Sequence, residues 1–164
     1  MQLHSLQPGP SDKPHLQLIS PVVAGLPSRY TRSIYENRYS QARQAERLQE
    51  SQEIQGVAKD VAEFFRHALA ALSPVIGEKS VSVLYKQTLF LNRVKHPWLS
   101  AAYGDLADAA VFLSLQETIS RQSLSNARAA VSDVVSVFHE LLHNLIGISL
   151  THRLLGPNSQ GEAA

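Results

Sequence analysis

The sequence predicts an all-α fold, a bundle of four or five helices in which the first is long. Two observations carry that prediction. From Ile54 onward the apolar residues recur at three- and four-residue intervals, the period of one helix face. Five of the eight prolines (Pro8, Pro10, Pro14, Pro21 and Pro27) fall before that periodicity begins. At 164 residues and 18.0 kDa, the chain has room for one domain with a genuine core.

Residues 1–32 read as a flexible, proline-rich arm, because proline removes backbone donors and fixes φ. Ser33 and Glu36 have the spacing of a capping box and should open the first helix. Ile54, Val57, Ala58, Val61, Phe64, Phe65, Ala68, Leu69 and Leu72 give that helix its buried face, with a break expected near Gly56. Its earlier half, Gln41 to Gln55, offers only Ala42, Ala45 and Leu48 as an apolar stripe, so it should pack weakly or need a partner chain. Ser73-Pro74 has the form of a new helix start. Val81 to Val94 fits both a strand's alternation and a helix's spacing; helix is favoured because no hairpin turn signal follows.

Pro97 should close that helix, with Trp98 as a buried plug beside Leu99. Asp105 is placed as the cap of the next helix, with Leu106, Ala109, Ala110, Phe112, Leu113 and Ile119 as its stripe. Ser125 or Asn126 should cap the last helix, which runs to Leu155 and stops at Gly156-Pro157. The bundle domain therefore spans 33–156, and 157–164 reads as a disordered tail.

Composition narrows the function. Fifteen basic and fourteen acidic residues leave a formal net charge of +1, with no global attraction for nucleic acid. The absence of cysteine excludes disulfides, iron–sulfur clusters, thiolate zinc sites and cysteine nucleophiles. No run approaches the ~18 apolar residues of a membrane helix, and Met1 to Ser5 lack the features of a secretory signal. A cytoplasmic location is expected.

One stretch matches a catalytic signature. His139-Glu140-Leu141-Leu142-His143 places two imidazoles one turn apart, with a glutamate between them to act as general base on a zinc-bound water. In those three residues it resembles the zinc metallopeptidases. That resemblance implies a third ligand, which the chain does not place: Ser149 stands where the extended motif has histidine, and Ile146 where it has glycine. The only downstream acid is Glu162. On a helical wheel of the last helix Val131, Val134, Val135, Phe138, Leu142, Leu145 and Ser149 face the core, His139 and His143 fall on the flank and Glu140 faces away. The expectation is two solvated histidines beside an exposed glutamate. Any metal would be zinc on His139 and His143, and no cofactor is expected.

His143-Asn144-Leu145-Ile146-Gly147-Ile148-Ser149 resembles the H-x-L-K-G-x-S pattern of histidine phosphotransfer domains. The resemblance implies that His143 accepts phosphate and that Gly147 makes room for a docking partner. Ile146 takes the place of the lysine that offsets phosphate charge. A wider pattern, Ile76-Gly77-Glu78-Lys79, His96-Pro97-Trp98-Leu99, Leu145-Ile146-Gly147 and Leu150-Thr151 with Arg153-Leu154-Leu155, resembles a group of small bacterial proteins with no established activity. It implies a helical domain over about 58–155 and a bacterial source.

Arg29, Arg32, Arg38, Arg43 and Arg47 alternate with Tyr30, Tyr35 and Tyr39 in a locally basic segment. Glu36 and Glu46 offset it, so a solvated helix start is expected rather than a nucleic-acid surface. His67, His96 and His152 are scattered, and His152 lies nearest the core face. There is no phosphate loop, nucleophile elbow or paired-carboxylate constellation. The sequence therefore points to a non-catalytic regulatory or adaptor protein acting on a protein partner, with homodimerisation expected. Phosphotransfer through His143 and metal-dependent hydrolysis through His139, Glu140 and His143 stand as the alternatives.

Overall fold

The computed structural model describes residues 28–156, with side chains from Thr31; the expected arm up to residue 27 and the expected tail at 157–164 lie outside the described residues. Every regular element among the described residues is helical: α1 (Ser28–Ile76), α2 (Glu78–Asn92), a 3-10 segment (Pro97–Ala102), α3 (Ala110–Ser120), α4 (Leu124–Ile146) and α5 (Ile148–Leu155). The chain divides into two units, Met1–Ala45 and Glu46–Ala164. In the first, the described residues are the opening turns of α1, and none from Thr31 to Ala45 is buried.

In the second unit α1 continues and supplies the core with Ile54, Ala58, Val61, Ala62, Phe65, Ala68 and Leu72, each 8% exposed or less. Phe65 stands where three helices meet. Its ring is 4.9 Å from that of Tyr85 on α2 and 5.2 Å from that of Phe138 on α4, both edge to face. That geometry suits the ring quadrupoles and adds to the apolar area buried. Glu53 at the base of this half is held by Arg128 of α4 at 3.0 Å.

Helix α1 departs from the expected boundaries at both ends. It opens at Ser28 rather than Ser33, and neither Gly56 nor Ser73-Pro74 interrupts it. Glycine lowers helix propensity without breaking a helix whose neighbours are packed. Pro74 lies within the last turn, so its missing N–H costs one bond, to the carbonyl of surface-lying Ala70. The chain turns instead at Gly77, whose φ of 85° and ψ of 147° are open to glycine alone.

The same corner is built again at Gly147, with φ 86° and ψ 155°. Each glycine N–H donates to the carbonyl four residues back, Ser73 or His143, and each glycine carbonyl accepts from the amide four residues on, Val81 or Thr151. Leu72 and Leu142 are buried before the two corners, Val81 and Thr151 after them. The second corner divides what the sequence suggests as one last helix. Phase is reset there, so Leu145 is 55% exposed and Ser149 is also exposed, although both lie on the predicted core face.

Between the corners, the segment Val81 to Val94 is the helix that its surroundings favoured, ending at Asn92. Tyr85 runs through the core and its hydroxyl donates to the Ala102 carbonyl at 2.9 Å. Leu99, 1% exposed, fills the corner given to Trp98, which is half-buried against the core with its ring 5.9 Å from His96. Asp105 caps a turn rather than α3: its Oδ1 accepts from Ala107 N–H and from the Ser82 hydroxyl. α3 buries Val111, Phe112, Leu115 and Ile119 and leaves Leu113 59% exposed. Ser123, not Ser125 or Asn126, caps α4, accepting from Asn126 N–H.

Candidate functional site

Helix α4 carries both histidines of the sequence motif. Val134, Phe138 and Leu142 hold its buried stripe, which fixes where the flanking residues fall. His139 follows Phe138 and is 4% exposed, so the expectation of a solvated imidazole is corrected for this residue. The flank that a wheel leaves open is covered by Phe64 of α1, whose ring lies 5.6 Å from the His139 ring.

The Val135 carbonyl, 2.9 Å from His139 Nδ1, can only accept, so Nδ1 carries the proton and Nε2 holds the lone pair. Burial holds the His139 pKa below the usual histidine value, with smaller contributions in the same direction from His143 and His152 and an opposing one from Val135. The ring is therefore a neutral core group at neutral pH.

His143 is half-buried one turn further along, 6.2 Å ring to ring from His139. Its Nε2 is enclosed and meets no hydrogen-bond partner among the described residues. His152, expected near the core, is instead exposed on α5, and the Gly147 corner brings its ring within 5.5 Å of His143. The sequence reading missed this third member. The signal was the Ile-Gly pair, present at Ile76-Gly77 and again at Ile146-Gly147, which marks a corner rather than a helix interior.

Glu140 is exposed, as the wheel requires. A zinc hydrolase needs both imidazole lone pairs and a third ligand directed at one point, with the glutamate beside them. Among the described residues no three His, Cys, Asp or Glu side chains are placed to hold a metal ion. The phosphoryl-accepting atom of a phosphotransfer histidine must be open to a partner. At His143 the enclosed Nε2 is not. His96 Nε2 meets Asp133 Oδ2 at 2.9 Å and ties the end of the α2 region to α4.

The first half of α1 has the opposite character. No residue from Thr31 to Glu53 is buried, and Tyr39 and Leu48 are 64% and 66% exposed. Arg32 is paired with Glu36 at 3.3 Å, which lowers the free positive charge of the basic, aromatic segment. On α2, Val83 and Phe90 are exposed, as is Val94 just beyond the helix, and Arg93 stacks 3.9 Å from the Phe90 ring centroid.

No protein-family model, curated protein or solved structure matches this chain. No helix among the described residues is long and apolar enough to cross a membrane.

Proposed function

We propose that the chain is a non-catalytic regulatory or adaptor protein that acts through protein–protein contacts of its helices, with the first half of α1 as the contact surface. One observation carries the reading: α1 runs from Thr31 to Glu53 without a buried residue, while presenting Ile34, Tyr35, Tyr39 and Leu48. Isolated helices are marginal in water, and most helical stability in proteins comes from packing an apolar face. A stretch of this length therefore gains its order from contact with a partner. The enclosed Nε2 of His143 and the buried ring of His139 give little support to phosphotransfer or hydrolysis.

The test is the size of the native complex containing the chain at its natural abundance, for wild type and for Tyr39→Glu with Leu48→Glu. The wild type should migrate well above 18.0 kDa. The variant should lose that complex while the melting temperature of its bundle is unchanged. Equal sizes for the two would remove the adaptor reading, as would stoichiometric zinc with hydrolytic activity lost in Glu140→Gln.

A further inference from the structure

We infer that His143 and His152 form a two-histidine site for a divalent transition-metal ion, zinc in the first instance, which pins α5 to α4 across the Gly147 corner. The site differs from the His139 and His143 pair of the sequence motif, and it is independent of the contact surface on α1.

Ring spacing separates the two pairs. Two imidazoles on one zinc, with Zn–N bonds of about 2.1 Å and a tetrahedral angle between them, have ring centres about 5 Å apart. The rings of His143 and His152 are 5.5 Å apart, with planes inclined by 74°. Those of His139 and His143 are 6.2 Å apart, a spacing that would open the angle at the metal to about 150°. His139 is kept from closing that gap, because Val135 holds its Nδ1 and Phe64 lies over its ring. His152 is exposed, so its side chain can turn toward a shared ion without disturbing the core.

Both rings have an electron pair to give. His143 Nε2 is enclosed and meets no hydrogen-bond partner among the described residues, and the His152 side chain makes no hydrogen bond among them. A neutral imidazole offers one lone pair, which suits zinc, copper and nickel rather than the hard cations magnesium and calcium. A bond to such a metal supplies the partner that the His143 nitrogen lacks. With two protein ligands, water fills the other positions, and the third ligand that a zinc hydrolase uses is not placed among the described residues. Helix α5 is only eight residues long and follows α4 through the single residue Gly147. An ion shared by His143 and His152 adds a second link between them.

The test uses the full-length chain without an affinity tag, stripped with EDTA and titrated with zinc chloride in a calorimeter at about pH 7.5, where free imidazole is neutral. It should take up one zinc per chain. Its Tm should rise as zinc is added, since the unfolded chain does not hold the two rings together. Magnesium chloride at the same concentrations should leave the Tm unchanged. His152→Ala should weaken zinc binding about a hundredfold, because the chelate advantage of the second ligand is lost. Without zinc its Tm should equal that of wild type, because residue 152 is exposed. His143→Leu should lose zinc in the same way.

Zinc uptake that is unchanged in His152→Ala overturns the site and returns the metal to the motif pair or to histidines elsewhere in the chain. An equal rise in Tm with magnesium overturns it too, as does the absence of uptake up to about 1 mM zinc. Zinc bound here without hydrolysis leaves the adaptor reading standing. That reading is decided by the native complex and its dependence on Tyr39 and Leu48, so the two can fail separately.

Discussion

Phe64 of α1 covers the imidazole of His139 on α4, with ring centroids 5.6 Å apart and planes inclined by 36°. The contact turns half of a catalytic signature into a piece of core. His139→Ala should destabilise the protein by about 2–5 kcal/mol, the range for truncating a large buried side chain to alanine. Chemical denaturation of wild type and variant measures it, and a change below about 0.5 kcal/mol would place the ring at the surface after all.

His143 should respond differently. Its enclosed Nε2 has no partner among the described residues, and a buried polar atom left unsatisfied carries a desolvation penalty of about 1–3 kcal/mol. His143→Leu keeps much of the volume and removes that atom. The variant should unfold at the same denaturant concentration as wild type or a higher one. A clear loss of stability would show that the nitrogen has a partner.

Stability should fall with acidification in two separate windows. In the folded chain His139 has a pKa below the ordinary 6.5, with burial as the main cause. Below 6.5 the unfolded chain therefore binds more protons at this site than the folded chain does. Stability rises with pH across that window and is lost as pH falls from 6.5 toward the lowered folded value. Asp133 and Asp105 have carboxyls held below the ordinary 3.8, chiefly by hydrogen bonds from His96 and Ser82 respectively. Their contribution is present above 3.8 and lost as pH falls below it. Melting temperatures between about pH 7 and pH 5 should slope less in His139→Leu than in wild type, with the acid limb unchanged. Parallel curves would exclude His139 as the source of the first window.

Leu99 should matter more than its larger neighbour Trp98. Leu99 is 1% exposed, whereas Trp98 is half-buried beside His96. Leu99→Ala should cost about 3 kcal/mol, and Trp98→Ala less. Paired denaturation curves decide it, and the reverse order would return Trp98 to the role of plug.

Gly147→Ala isolates backbone strain from packing. A Cβ built at this position meets nothing within 4 Å, yet φ is +86°. The substitution should cost about 1–3 kcal/mol, although no atom is in the way. An alanine variant as stable as wild type would mean that the corner tolerates an ordinary residue.

The sequence carried the helical class and most of the α1 core, because Val61, Phe65, Ala68 and Leu72 repeat the period of a helix with one covered face. Proline was the less reliable guide: Pro74 looks like a beginning and lies in a last turn, where one lost bond is cheap. Gly147 hid the second corner, since glycine is also common in a helix crossing, and a single wheel drawn through it placed Leu145 and Ser149 on the wrong side. The flank position of His139 was correctly derived from spacing. Its burial was not, because periodicity within one helix does not say which neighbour lies over its edge. The approach of His152 to His143 was hidden by the same corner.

Ser82 joins two segments that periodicity alone leaves unconnected. Its hydroxyl donates to Asp105 Oδ1 at 2.7 Å and accepts from the Leu106 amide at 3.2 Å, so one side chain on α2 satisfies the backbone of the loop leading to α3. Leu106 itself is 1% exposed. Its amide proton belongs to no helix, yet it can reach deuterated solvent only when that stitch opens and the leucine leaves the core. In hydrogen exchange this loop amide should behave like an interior helical one, and Ser82→Ala should release it long before the helices on either side begin to exchange.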